Sequence, residues 1–141
     1  MDKKDARVKA QRLKGLINNL KDARDWPETN KRSGAILSFV NEDPEDNLFA
    51  LFIGSFEVAY AVFKMAYDNG ATDMATWHPG AQRFISALTG LLLTQFKEHP
   101  VEARSLLRHM KSSSWGGNDD EVKETWIGWI ILNLEQNNLS F

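Results

Sequence analysis

The chain has 141 residues, of which 43% are hydrophobic and 26% charged, and its formal net charge is −2. This length and composition suit one globular domain with one substantial core. Because the sequence contains no cysteine, a disulfide framework, a thiolate nucleophile and a Cys-ligated metal site are excluded.

The positive charge is concentrated near the N-terminus. Residues 1–24 contain eight lysines and arginines against three aspartates, a net charge of +5, which leaves −7 on the remaining 117 residues. A basic segment on an acidic body can contact an acidic partner, a nucleic acid, or the acidic body of its own or a second copy.

Neither a leader nor a membrane span is predicted. The first 14 residues are rich in charged side chains and lack an apolar segment, which is untypical of a secretory signal peptide. They also include two aspartates, which are untypical of a transit peptide. The most apolar stretch, Leu48 to Phe63, contains Glu57 and is closed by Lys64 and Asp68 below the roughly 20 residues that a span needs. We expect a cytoplasmic protein without a membrane partner, with this stretch as a buried central helix.

All the periodic segments are helical, and the first three helices lie in the N-terminal half. The first is predicted from about Lys4 to Arg24, ended by Trp26-Pro27. A shorter second helix is predicted from Lys31 to Asn41. A third begins at Asp43-Pro44, where an N-cap acid precedes proline at the first helical position, and runs to about Tyr67 before a left-handed stop at Asn69-Gly70.

Three more helices follow. The fourth begins after Trp77-His78-Pro79-Gly80 and runs to about Lys97, and the fifth begins at Pro100 and ends at residues 112–117. The sixth is capped by Asn118 or Asp119, and its apolar stripe includes Trp126.

Six helices with short connections predict a single compact all-α bundle of mostly antiparallel neighbours. The domain spans 1–141, with the basic first helix, residues 1–26, packed on or projecting from the 29–141 body. We expect the third and fourth helices at its centre, because both have small residues that permit close approach. These are Gly54, Ser55, Ala59 and Ala61 on the third helix and Ser86, Ala87 and Gly90 on the fourth. A cofactor or lipid slot between the two helices is the alternative to plain core packing.

The sequence offers little support for catalysis. Its three histidines, His78, His99 and His109, have no metal-binding spacing, and nucleophile and phosphate-loop motifs are absent. We interpret the histidines as capping or solvent-facing, and predict a protein without catalytic residues, metal or cofactor. The enzymatic alternative places a site around His78 or Glu57.

Two acidic clusters, residues 42–46 and 119–124, lie at predicted helix N-termini. The helix dipole explains acids at these positions without a metal ion. Glu57 lies within the apolar third helix, where we expect it on a solvent-exposed edge of the helix.

The first helix has a basic stripe. Lys3, Arg7, Lys14 and Lys21 fall within about 40° of one another on a helical wheel. Such a stripe can contact phosphates, bind a protein, or simply be solvated. The sequence pI of about 5.9 is below that of a dedicated nucleic-acid binder.

Three of the five tryptophans, Trp26, Trp77 and Trp115, lie in connections beside proline or glycine. Loop tryptophans cover the ends of bundles, and tryptophan is also enriched at interfaces. Because connections alternate between the ends of an up-down bundle, these three are predicted to share one end. That arrangement would favour an interface.

We therefore predict a small non-enzymatic protein that acts by protein–protein interaction, as an adaptor, inhibitor or complex subunit. Its partner is another protein or a second copy, bound through the basic first helix or the aromatic end. The predicted binding residues are Lys3, Arg7, Lys14, Lys21, Trp26, Trp77 and Trp115. The alternative is a nucleic-acid-associated subunit whose first helix contacts the phosphate backbone. Phe141 is expected to pack on the bundle or on a second subunit.

Overall fold

The computed structural model describes residues 3–70, 76–112 and 118–139, without the side chains of residues 3–7, 67, 118 and 119. The described residues form six α-helices and no strand, which confirms the all-α prediction. The helices are α1 (Lys3–Lys21), α2 (Trp26–Glu42), α3 (Pro44–Asp68), α4 (Pro79–Glu98), α5 (Pro100–Ser112) and α6 (Asn118–Gln136).

The start of α2 differs from the prediction. Trp26-Pro27 begins the second helix and does not end the first, which already ends at Lys21. The reason is Asp25, whose carboxylate accepts a hydrogen bond from the Glu28 amide at 2.8 Å and so caps the helix. Proline in the first turn is compatible with this cap. An N–H at that position has no acceptor within the helix, so the lack of an N–H in proline costs no hydrogen bond.

The predicted stop after α3 is confirmed. Gly70 has a φ of +72°, a left-handed conformation that glycine adopts without the steric cost of a Cβ. The starts of α3 and α5 at prolines 44 and 100 also agree with the prediction, while α4 begins at Pro79, two residues earlier than predicted.

The central position of α3 and α4 is confirmed, since each of them contacts all five other helices. The other four helices form two outer pairs. The members of one pair, α1 and α2, pack on each other and on the central helices, and so do α5 and α6.

Two of the predicted small residues, Gly54 and Gly90, do not mediate close approach of α3 and α4. A Cβ at Gly54 would lie 3.0 Å from Cδ1 of Ile17, so this glycine permits close approach of α1 to α3. Gly90 has open space where its Cβ would be and lines a crevice between α4 and α2. Large side chains meet between α3 and α4 instead, as in the contact of Phe52 with Phe96 at 6.1 Å between ring centroids.

The helix α3 is long and apolar enough to cross a membrane, because the segment Pro44–Ala66 has 23 residues at a mean hydropathy of 1.6. The sequence argument that the apolar stretch is too short was therefore wrong. More than half of its most apolar window is buried in the bundle, and this burial assigns α3 to the core.

Hydrogen bonds also link the central helix α4 to α6. The Thr89 hydroxyl donates to the Ile85 carbonyl at 2.7 Å and accepts from Nε1 of Trp129 at 2.9 Å. Thr89 is buried and Trp129 is partly buried, so loss of this acceptor removes a hydrogen bond that joins the two helices.

We expect Thr89→Val, which has nearly the same shape, to lower the free energy of unfolding by about 1 kcal/mol, because the hydrogen bond between the two helices is lost. Urea denaturation measures the change. Thr89→Ser keeps the hydroxyl and serves as the control for the lost hydrogen bond. A valine variant more stable than the serine variant would contradict this role.

Candidate functional site

The basic stripe of α1 is partly neutralised within the chain. Nζ of Lys14 lies 2.8 Å from Oε2 of Glu57 on α3, and both side chains are about half exposed. Lys21 forms no ion pair with another described residue. The side chains of Lys3 and Arg7 lie outside the described residues.

A second ion-paired lysine of α1, Lys9, lies beside the junction of α2 and α3. Its Nζ is 3.2 Å from Asp43 and 3.8 Å from Asp46. A hydrogen bond between the Asp46 and Asp43 side chains, together with the bond from Lys9, lowers the pKa of Asp43 below its ordinary value. Part of the acidic cluster 42–46 therefore binds α1. Packing also holds this helix on the body, since Leu13, Ile17 and Leu20 of α1 are fully buried.

The lowered pKa of Asp43 makes stability depend on pH. A carboxyl whose pKa is lower in the folded state stabilises the fold above its unfolded pKa, and this contribution is lost as pH falls through the folded value. We expect Asp43→Asn to destabilise the protein at neutral pH and to flatten the loss of stability below about pH 4. Urea denaturation at a series of pH values measures both effects. The exposed Asp22→Asn is the control, and identical pH profiles for the Asp43 variant and wild type would refute the link.

The histidines show the structural roles expected of them. Nδ1 of His78 accepts a hydrogen bond from the Gly80 amide at 3.0 Å and caps α4, which confirms the capping prediction. His99 ends α4 and His109 is exposed on α5. Among the described residues, no group of three or more His, Asp or Glu side chains could hold a metal ion.

The two residues of the enzymatic alternative are not brought into one site. Glu57 is exposed, as predicted, and lines a crevice between α1 and α3. His78 lines a different groove at the end of the bundle.

That groove lies where the end of α1, the last turns of α3 and the start of α4 meet, and we call it the end groove. Its volume is about 680 Å³, within the range of ligand-binding pockets. Its apolar lining includes Ala23, Ala61, Val62, Met65, Ala66 and Trp77, and its cations are Lys21, Arg24 and Arg83. Met65 is 66% exposed, so a large apolar side chain faces solvent there.

Arg83 fixes one wall of the end groove. Its Nη2 donates to the Ala23 carbonyl at 3.0 Å, which joins the connection after α1 to the start of α4. The connection after α1, which ends where Trp26 begins α2, and the connection that contains Trp77 therefore meet at the same end of the bundle. Trp115 lies outside the described residues, and so does Phe141.

The two described loop tryptophans differ in their surroundings. Trp77 is 8% exposed and packs edge to face on Phe63, with ring centroids 4.9 Å apart. Trp26 is 52% exposed and lines the smaller crevice between α2 and α4. Trp77 is thus a core residue beneath the end groove, while Trp26 remains accessible to a partner.

Of the predicted binding residues, Lys21 and Trp77 line the end groove, whereas Met65, Arg24 and Arg83 line it without having been predicted. Arg24 had a usable signal, since it belongs to the basic segment 1–24. Met65 had none, because α3 is apolar on nearly all sides.

Comparison with protein-family models, with curated protein sequences and with solved structures found no match.

Proposed function

We propose that this chain is a non-enzymatic, cytoplasmic protein-interaction module that binds its partner in the end groove. The observation that carries the proposal is the exposed Met65 within an apolar groove of about 680 Å³. Exposed apolar surface edged by polar residues is typical of interaction sites. The burial of more than half of the most apolar window of α3 favours a core helix over a membrane span.

The groove combines the two surfaces that the sequence favoured. Its α1 side is the end of the basic first helix, at Lys21 and Arg24, and Trp77 lies at the aromatic end. A methionine in such a groove suits an interaction site, because its flexible thioether adapts to different apolar side chains.

A role as a nucleic-acid-associated subunit is the alternative. It needs the stripe of Lys3, Arg7, Lys14 and Lys21, but Lys14 already has a carboxylate partner in Glu57. Strongly salt-dependent oligonucleotide binding that is lost when these four cations are replaced by glutamate would favour it. The absence of oligonucleotide binding at low salt would remove it.

Site-specific photo-crosslinking tests the end groove directly. A photoreactive phenylalanine analogue replaces Met65 in the full chain, which is then irradiated in its native lysate. The matched control replaces Val101, another large apolar side chain, which is 72% exposed on α5. Both sites are solvent-exposed, so the two proteins should remain folded.

We expect covalent adducts with a protein from position 65 and few or none from position 101. An adduct of twice the chain mass identifies a second copy as the partner. Equal labelling from both positions, or none from position 65, would contradict the proposed function.

A further inference from the structure

We propose that the partner segment bound in the end groove is an acidic amphipathic helix, an inference that rests on the proposed function and specifies the partner's chemistry. The groove is lined by three cations, Lys21, Arg24 and Arg83, and by one acid, Asp22. This excess of positive charge contrasts with the −7 of the chain beyond residue 24.

No carboxylate of the described residues pairs with the cations of the groove. Most described ion pairs engage cations elsewhere, namely Lys9, Lys14, Arg32, Lys64 and Lys123. Lys21 and Arg24 have no carboxylate partner among the described residues, and Arg83 binds only a backbone carbonyl there. Lys21 and Arg24 are therefore available to carboxylates of a partner, and Arg83 adds positive charge to the same site. Charge complementarity favours an acidic partner segment over a basic or neutral one.

The shape of the groove favours a helix. The lining of the groove along α3 extends from Ala61 to Asn69, the residue after the helix, a length of about 12 Å along the helix axis. Its apolar floor is formed by Ala61, Val62, Met65 and Ala66. Two turns of a partner helix match this length and present apolar side chains at positions i, i+4 and i+7.

The cations come together at one wall of the groove. Lys21 and Arg24 belong to the end of α1 and the connection after it, and Arg83 of α4 reaches the same connection, where its Nη2 donates to the Ala23 carbonyl at 3.0 Å. An amphipathic helix with glutamates along both borders of its apolar stripe would therefore bring carboxylates to this wall in either direction along the groove, while burying its apolar residues against Met65.

Nuclear magnetic resonance titration of the full chain tests this pairing. The probe is a synthetic amphipathic helix of about 15 residues with leucines at i, i+4 and i+7 and glutamates on both borders of the leucine stripe. The comparison peptide has lysines in place of the glutamates, and a single-stranded oligonucleotide is the third probe.

We expect the glutamate helix to shift the amide resonances of Ala61, Met65, Ala66 and Ala81, and the lysine helix and oligonucleotide to leave them unchanged. Lys21→Glu with Arg24→Glu should weaken binding of the glutamate helix about tenfold and strengthen that of the lysine helix. Lys31→Glu with Lys97→Glu, at exposed cations of α2 and α4, is the control for net charge.

The outcomes separate this inference from the proposed function. One outcome is that Met65→Lys blocks binding of both helical peptides, that Val101→Lys blocks neither, and that the charge reversal has no effect. The groove is then an interaction site, but the acidic partner is wrong. Preference for the lysine helix or the oligonucleotide would also overturn the acidic partner. If the glutamate helix binds and Met65→Lys has no effect on it, the end groove itself is wrong. Circular dichroism confirms that each variant is folded.

Discussion

Replacing Trp77 by alanine is expected to lower the free energy of unfolding by about 3–5 kcal/mol, the usual cost of truncating a buried aromatic side chain. Trp77 is almost fully buried and packs on Phe63, whose ring centroid lies 5.5 Å from that of Trp126. Trp126 also contacts Phe56 edge to face. The substitution therefore leaves a cavity at the edge of an aromatic cluster that joins α3, α6 and the connection before α4.

Urea denaturation of the full chain measures this effect, and Trp26→Ala is the matched control. Trp26 is half exposed, and alanine favours the helix that this residue begins. We expect Trp26→Ala to change the free energy of unfolding by less than about 1 kcal/mol. Equal destabilisation by the two substitutions would contradict the assignment of Trp77 to the core.

The different burial of these tryptophans affects how binding should be tested. Loss of a partner in a variant that lacks Trp77 would not distinguish a lost contact from a damaged fold. Met65 and Arg24 are exposed, so substitutions there test the end groove without removing core contacts.

The helix order and most helix starts could be predicted because their causes are local. The starts at Pro44, Pro79 and Pro100 depend on a few adjacent residues, and so does the left-handed stop at Gly70. Trp26-Pro27 was misassigned because proline is compatible with the residues after a helix and with the first turn of one. The side chain of Asp25 decides between them, and its hydrogen bond to Glu28 is visible only in the structure.

The end groove could not be predicted because it depends on tertiary packing. Phe63 and Met65 are both apolar residues of α3, yet the first is buried and the second is exposed. An all-round apolar helix contains no periodic signal that separates the two. The ion pairs of the basic stripe likewise depend on tertiary packing. The position of Glu57 on α3 allows it to pair with Lys14, while Lys21 has no carboxylate partner among the described residues.

Replacement of Gln95 by an apolar residue is expected to stabilise the fold. Gln95 lies on α4 and is 0% exposed, and neither its Oε1 nor its Nε2 has a hydrogen-bond partner among the described residues. Burial of an amide without partners costs about 1–3 kcal/mol in proteins. We therefore expect Gln95→Met, which has a similar shape without the amide, to raise the free energy of unfolding by about that amount, as measured by urea denaturation.

Two further variants isolate the cause of this gain. Gln11→Met makes the same change at an exposed position of α1 and should alter stability by less than about 0.5 kcal/mol. Gln95→Glu introduces a buried carboxyl that must either remain protonated or lose its hydration, so it should destabilise the fold increasingly as pH rises. If Gln95→Met instead destabilises the chain while Gln95→Glu is tolerated at neutral pH, the Gln95 amide is not an unpaired group of the core. Its polarity would then contribute to the packing of α4, and the cost assigned to its burial would be wrong.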